Sequence, residues 1–561
     1  MSLSNPRLAA VLASERLLYL LLALALFTGF FYQLGAVPLF DLDEGAFSQA
    51  TREMFLRDDF LSTYLNGQPR YDKPILIYWL QAASVALLGP SEGALRLPSA
   101  LAASAWTLLL LGFTRRVVNS RQGLYAAILL ASALAVTVIG KAATADALLN
   151  MLLAGSMLAL YLYLREGRRI WLYAAALAMG LGFLTKGPVA VVIPAGVSLL
   201  YCASRGEWRV WLGLLAEGRA WALFLIIAAP WYLLQFLREG DGFLQGFFLR
   251  HNLDRLQQPL DGHGGGWWYY MPVLLVAVLP YTTLLLRTLA RAREQWRAPL
   301  GRYLLLWFGL VFVLFSLAAT KLPHYLLYGC SGLFVLMAAE LDEPASGPMD
   351  GLLLLPQALM LLLLLILPGA LVLVLPRVKD ALVQAQLAGL QFTPAYYVLL
   401  LALLALTGYF MRERHMPIAL KLLFSGVLLS AVLAAQVLPT VAAVRQQPVK
   451  VAGLLAGAEP GAPPLVMWRL NLPSFSVYSG RVVERREPRP GDLVLTRQTA
   501  LAALGPHTVR YAAHGIALVR MEEPDASSHD ALTPSTSSGQ HPNPSPAGRG
   551  ELMPPNPESQ P

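Results

Sequence analysis

The sequence predicts an all-α polytopic membrane protein of about thirteen transmembrane helices, with interfacial helices on its outer face and a small C-terminal α/β domain. Three observations lead there. Of 561 residues, 56% are hydrophobic and 14% charged, far too few charges to cover a soluble globule of this size. Apolar runs of roughly twenty residues recur from Leu17 to Leu438, the length that crosses about 30 Å of hydrocarbon at about 1.5 Å per residue. Beyond them lie short β-like pieces separated by Pro, Gly and charge.

The spans fall near 17–35, 96–114, 123–140, 146–164, 170–185, 188–204 and 219–237, then near 269–286, 303–319, 323–340, 351–375, 395–411 and 417–438. The first run has no small-residue cleavage site before Asp41 and is expected to be a retained span. If Arg7 and Arg16 lie inside, every second loop collects arginine: Arg115, Arg116 and Arg121, then Arg165, Arg168 and Arg169, then Arg205 and Arg209. The series continues through Arg287 to Arg302 and ends at Arg412 and Arg414. This is the positive-inside distribution. Residues 74–89 (PILIYWLQAASVALLG) are apolar but short and start directly at Lys73, so they are expected to lie on the membrane as an interfacial helix.

The net charge of +9 is therefore sorted across a membrane, and nucleic acid is not expected as a partner. Cys202 and Cys330 each sit in an apolar run, which argues against a disulfide framework or a zinc site. Residues 1–445 are expected to form the membrane domain, with a first outer loop at 36–95. Residues 446–521 form the small outer domain, from the pieces VMWRL, FSVYSG, DLVLTR and Val509 to Met521, and 522–561 a disordered Ser/Pro/Gly-rich tail.

The same parity puts the remaining polar residues outside. Asp43 and Glu44 open an amphipathic helix expected on the surface, with Phe47, Ala50, Met54 and Phe55 toward lipid or protein. Acids there also suit a helix N-terminus. For Asp43 a chemical role is favoured, because Asp72 and Lys73 follow in the same loop, where ionisable groups are costly unless they work. Lys73 is placed to meet a phosphate as a point charge, with snorkelling to lipid headgroups as its other use. Asp146 begins a span, as a cap or as a functional acid. Lys186 in Thr-Lys-Gly-Pro and Lys321 in Thr-Lys-Leu-Pro-His-Tyr stand at proline-sharpened outer turns and suit an anionic ligand. His251 and His263 lie in a Gly- and Trp-rich loop whose spacing specifies no metal site.

Together these motifs resemble the polyprenyl-phosphate-dependent glycosyltransferases of GT-C architecture, the group that contains the lipid A aminoarabinose transferases and is related to the protein O-mannosyltransferases. The resemblance covers residues 15–440 and rests on the acid pair before Gly45, Arg52-Glu-Met54, Tyr71-Asp-Lys-Pro74, Arg96-Leu-Pro98, Asp146 and Thr185-Lys-Gly-Pro188. It also rests on Arg250 to Arg255, Trp267-Trp-Tyr-Tyr270 and Thr320-Lys-Leu-Pro323. It implies a bacterial inner-membrane enzyme that takes a sugar, 4-amino-4-deoxy-L-arabinose or a hexose, from a polyprenyl phosphate. The sugar passes with inversion to lipid A or another envelope acceptor on the periplasmic face, with membrane lipids as surroundings and no nucleotide cofactor. Carried over by residue, it makes Asp43 and Asp146 the catalytic acids and Lys73 the donor-phosphate ligand; beside it the residues themselves suggest Glu44 as a further catalytic acid and Arg255 or Lys321 as helpers of Lys73 at the phosphate. A divalent cation of unknown identity could be held by Asp72 and His251. Asp72 stands where relatives often have Glu, and Asn252 where the aminoarabinose transferases have a histidine. Two alternatives remain open, a protein O-mannosyltransferase-like enzyme and, in a different class, a lipid or solute transporter.

Overall fold

A segment surrounded by hydrocarbon must bond its own backbone groups, so the apolar runs become helices. The structure, a computed structural model, describes residues 14–247, 249, 264–342 and 350–522. Among the described residues eight helices are long and apolar enough to cross a membrane: Glu92–Val117, Asp146–Glu166, Gly218–Glu239, Pro299–Leu317, Pro323–Asp342, Gly351–Arg377, Pro394–Arg412 and Ile418–Arg445. Helices Ser120–Ser132 and Leu134–Gly140 add a ninth if counted together, although a 68° bend separates them. The other four expected spans do not meet that length and composition as single helices. Glu15–Leu26 passes into a π-turn at Phe27–Phe31, Tyr270–Ala277 and Thr282–Ala290 are interrupted, and Arg169–Lys186 and Val189–Ser204 are short or flanked by charge.

Burial sorts the bundle. In Asp146–Glu166, 78% of the most apolar window is buried, against 6% in Gly351–Arg377; the first is the core around which the others pack, and the second faces outward. Asp146–Glu166 packs on Glu92–Val117 and Arg169–Lys186. At one end the arginine-bearing loops are tied to acids: Arg116 to Glu166, Arg169 to Glu217, and Arg287 and Arg291 to Glu340.

The opposite end is built from the first long loop and the C-terminal domain. Helix Asp43–Arg57 does not lie open on the surface as expected. Ten of its residues, including Glu44, Phe47, Ala50 and Met54, are buried, while Phe55 is exposed. It is sandwiched between helix Leu76–Leu88, where Phe47 stacks on Tyr78 at 5.3 Å, and helix Pro473–Ser479. A Cβ on Gly45 would overlap the Ser474 backbone nitrogen, so the close approach requires glycine there. Helix Leu76–Leu88 has 13 residues, about 20 Å of rise and too short to span.

Between these helices β1 (Tyr64–Leu65) and β2 (Gln68–Pro69) pair around Asn66-Gly67, both at positive φ, the geometry that a two-residue hairpin needs. Buried Glu53 accepts hydrogen bonds from both turn nitrogens. In the C-terminal domain β3 (Leu465–Met467), β4 (Leu493–Arg497), β5 (His507–Ala513) and β6 (Ile516–Met521) form a sheet of order β3-β4-β6-β5, parallel only between β3 and β4. The piece FSVYSG, expected to be β-like, is instead helical. Pro473 starts that helix and Gly480 ends it in the left-handed region.

Candidate functional site

The site is held by a strut inside the protein. Arg96, two residues before Pro98, meets Glu44 through Nε to Oε1 and Nη2 to Oε2, both at 2.8 Å. The same guanidinium donates to the carbonyls of Leu34, Val37 and Pro38. Glu44 also accepts from the backbone nitrogens of Phe40 at 2.8 Å and Ala143 at 2.7 Å. Both oxygens of Glu44 are thus occupied and the residue is buried, so the geometry gives it a positioning role in place of the expected catalytic one. It fixes Asp43, its exposed neighbour, relative to the segment that leads into Asp146.

Asp43, Lys141, Asp146 and His324 line one cavity of about 580 Å³, whose far wall is the apolar surface of Met360, Leu364 and residues 433–441. Asp146 is drawn into a cluster. Its Oδ1 lies 2.5 Å from Lys186 Nζ, 3.1 Å from the Tyr328 hydroxyl and 3.3 Å from His324 Nε2. Lys186 also donates to the Tyr328 hydroxyl at 2.7 Å and sits over the Tyr325 ring. The expectation that Lys186 meets an anionic ligand is therefore altered by a carboxylate already in place. Lys141 donates to the Thr28 carbonyl at 2.8 Å, and burial pushes its ammonium down to about 8.

Lys73 does not line this cavity, although its charge reaches His324, which does. Its Nζ lies 3.0 Å from the Asp72 carbonyl and 3.5 Å from Asp72 Oδ2, and the charges of both Lys73 and Asp43 act on the His324 ring. Asp72 is held by Arg70 through Nε at 2.5 Å and Nη2 at 2.8 Å. Burial opposes the Arg70 charge, but Asp72 above all, with Tyr78 and Asp43, outweighs it and raises its pKa. The loop is pinned from the other side where the Tyr71 hydroxyl donates to Glu239 Oε2 at 2.9 Å. Lys321, expected on the donor phosphate, is buried and caps the end of helix Pro299–Leu317. Its Nζ lies 2.7 Å from the carbonyls of both Ser316 and Ala318. Arg255 and His251 lie outside the described residues.

Among the described residues no three or more of His, Cys, Asp and Glu are grouped to hold a metal ion. Asp72 does not fit the ligand role because Arg70 binds it through both oxygens. The sequence places His324, with Lys321, among the polar residues of the outer face that collects the candidate site, but gives no sign of Tyr328. The available signal for Tyr328 is its spacing from His324 along Lys-Leu-Pro-His-Tyr-Leu-Leu-Tyr, which brings both to one end of a buried helix.

Residues 72–233 match the sequence model of the dolichyl-phosphate-mannose-protein mannosyltransferase family. The chain is 33% identical over 327 residues to an undecaprenyl phosphate-alpha-4-amino-4-deoxy-L-arabinose arabinosyl transferase of Aeromonas hydrophila. That similarity covers 57% of this chain and 59% of the Aeromonas protein, so the chain spans less than two thirds of that relative. A protein of Aquifex aeolicus is 32% identical over 323 residues, 58% of this chain and 73% of the other. The fold is similar to the crystal structure of ArnT from Cupriavidus metallidurans bound to undecaprenyl phosphate, with a TM-score of 0.77 at 20% identity over 90% of this chain and 98% of that one.

Proposed function

This chain belongs to the polyprenyl-phosphate-dependent glycosyltransferases of GT-C architecture, and we propose that it moves 4-amino-4-deoxy-L-arabinose from undecaprenyl phosphate to an envelope acceptor such as lipid A. The observation that carries the reading is the cavity where Asp43, Lys141, Asp146 and His324 face an apolar wall, with the Lys73 charge acting on His324 from outside the lining. Such a chamber suits a substrate with a lipid tail and a charged, sugar-bearing head. Arginine gathers in the loops at the other end, as positive-inside sorting has it for cytoplasmic loops, and this supports a cavity that opens on the periplasmic side of the inner membrane.

An acceptor oxygen attacks the anomeric carbon from the face opposite the polyprenyl phosphate. The bond from that carbon to the phosphate oxygen breaks, and the polyprenyl phosphate leaves with the electron pair. Lys73 stabilises the charge that grows on the leaving oxygen. Asp43 takes the proton when the acceptor is a hydroxyl and orients the acceptor when it is already an anionic phosphate oxygen. Asp146, held by Lys186, Tyr328 and His324, positions His324 and Lys186 rather than reacting itself.

The test is sugar transfer from a radiolabelled undecaprenyl-phosphate donor, alongside donor binding, for folded variants. Lys73→Ala removes a charge-assisted contact of about 1.5–3 kcal/mol and weakens donor binding roughly ten- to hundredfold. Asp43→Asn abolishes or strongly reduces turnover while donor binding stays near normal. Near-normal turnover in both would refute the assignment. Movement of labelled lipid across vesicles without sugar transfer would establish a transporter instead.

A further inference from the structure

A second cavity of about 730 Å³ lies between the C-terminal domain and helix Ala381–Ala388. Its wall carries five arginines: Arg445, Arg469, Arg485, Arg486 and Arg497. Two have carboxylate partners. Arg486 pairs with Asp492 and Glu484, each at 2.5 Å, and Arg497 lies 3.7 Å from Asp380. Arg445, Arg469 and Arg485 form no ion pair within 4.0 Å among the described residues. The acids on the wall are Asp380, Glu487 and Asp41.

Arg445, Arg469 and Arg485 are exposed, and the Arg445 charge also acts on Asp41; their positive charge on one concave wall favours an anion there. A second observation is independent of the charges. Trp468 lines the same cavity and is 5% exposed, yet its Nε1 has no hydrogen-bond partner among the described residues. A buried indole N–H ordinarily finds an acceptor, and an anion in the cavity supplies one. The Arg469 guanidinium lies 4.3 Å over the Trp468 ring, a stacking that holds its planar fork ready for a phosphate. Arg497 Nε is likewise buried and unpartnered.

The cavity and the reaction chamber share part of their walls. Asp41 and Leu42 line both, and Asp43 is the next residue. We infer that this arginine-lined cavity binds a phosphorylated headgroup of the acceptor glycolipid and presents the acceptor to Asp43 across the Asp41-Leu42 wall. The inference rests on the transfer reaction proposed above and names the acceptor's chemical class for it. Undecaprenyl phosphate takes the other chamber, where the apolar wall lies.

The experiment uses the full chain in detergent and two probes: lipid A carrying both phosphates and the same lipid A with its phosphates removed. The variant is Arg469→Glu/Arg485→Glu, with Arg485→Gln alone as a milder second variant and a melting curve to confirm that each folds. Wild type binds the phosphorylated probe at least tenfold better than the dephosphorylated one, and the double variant loses that preference. Affinity for undecaprenyl phosphate stays within twofold. Arg485→Gln loses part of the preference, and under transfer conditions raises KM for the acceptor while kcat holds.

Equal binding of both probes by wild type would overturn the inference, as would unchanged preference in both folded variants. Loss of undecaprenyl phosphate affinity in the double variant would assign the cavity to the donor and overturn it too. Two further outcomes separate the inference from the reaction. Arginine-dependent binding of the phosphorylated probe by a chain that transfers no sugar would uphold the cavity and sink the reaction. Normal transfer with no effect of either variant would do the reverse.

Discussion

Replacing Arg96 by methionine tests the strut beneath the site. Arg96 and Glu44 are 2% and 5% exposed, and their paired contacts at 2.8 Å make them a buried ion pair. Removing one partner of such a pair costs about 3–5 kcal/mol, because the other charge stays buried without compensation. The carbonyls of Leu34, Val37 and Pro38 lose their donor as well. Against a total stability of about 5–15 kcal/mol for a folded domain, Arg96→Met should lower the melting temperature sharply and reduce transfer, because Asp43 and the segment before Asp146 lose their common anchor. In Arg96→Met/Glu44→Gln the stranded charge is gone, while an amide oxygen still accepts from Ala143 or Phe40. Its stability should recover by about half of the loss, roughly 2 kcal/mol. The assay is thermal unfolding of purified protein in detergent, with sugar transfer on the same samples. Wild-type melting in the single variant would refute the strut, and a double variant no more stable than the single one would refute the buried-charge explanation.

Asp41, between the two cavities, should make stability depend on pH. Burial pushes its carboxyl up to about 7 against the lowering effect of its hydrogen bonds from Ser474. A carboxyl whose folded pKa lies above its unfolded value of 3.8 is bound to its proton more tightly when folded, so stability falls as pH rises from about 4 through about 7 and then levels. Asp41→Asn should flatten that decline, checked by melting temperatures between pH 5 and 8; an unchanged slope would contradict it. Lys186→Met removes the ammonium 2.5 Å from Asp146 and should lower turnover by at least tenfold with donor affinity little changed, read as kcat against KM; loss of donor affinity alone would instead put Lys186 on the phosphate. Asn66→Cys, in the outer hairpin turn, should be labelled only from the periplasmic side, and labelling from the cytoplasm would overturn the topology.

The parts of this molecule legible in its sequence are those that follow from local chemistry. Length and hydropathy identify the segments that form Glu92–Val117, Asp146–Glu166 and Gly351–Arg377, and they also show the apolar run at Leu76–Leu88 to be shorter than a spanning helix. The same criteria merged segments where the chain bends, as at the 68° break after Ser132, because an apolar run looks alike whether straight or kinked. Asn66-Gly67 is a strong hairpin signal, but the flanking strands have two residues each and show no alternation to support it. Pro473 and Gly480 likewise bracketed a helix where the apolar letters between them suggested a strand.

For the candidate site the limit is different in kind. That Asp43, Lys73 and Asp146 belong to one polar system followed from their shared side of the membrane, a one-dimensional property. Which acids are engaged is a three-dimensional one. Glu44 and Asp43 are adjacent and chemically alike, and helix geometry turns one toward Arg96 and leaves the other exposed in the cavity. The partners that decide Glu44 and Asp146 stand far along the chain, 52 residues away at Arg96 and 182 at Tyr328. No local window joins them. Lys321 shows the same limit from the other side: a lysine at an outer turn suits an anion until the structure supplies carbonyls of the preceding helix as its acceptors. The arginines at 445, 469 and 485 are illegible in the sequence for this reason too. Each is an ordinary basic residue in its own segment, and only the folding of the C-terminal sheet against helix Ala381–Ala388 gathers them on one wall. Unpaired charge brought together by tertiary structure is invisible to composition, and it is where a ligand has most to contribute.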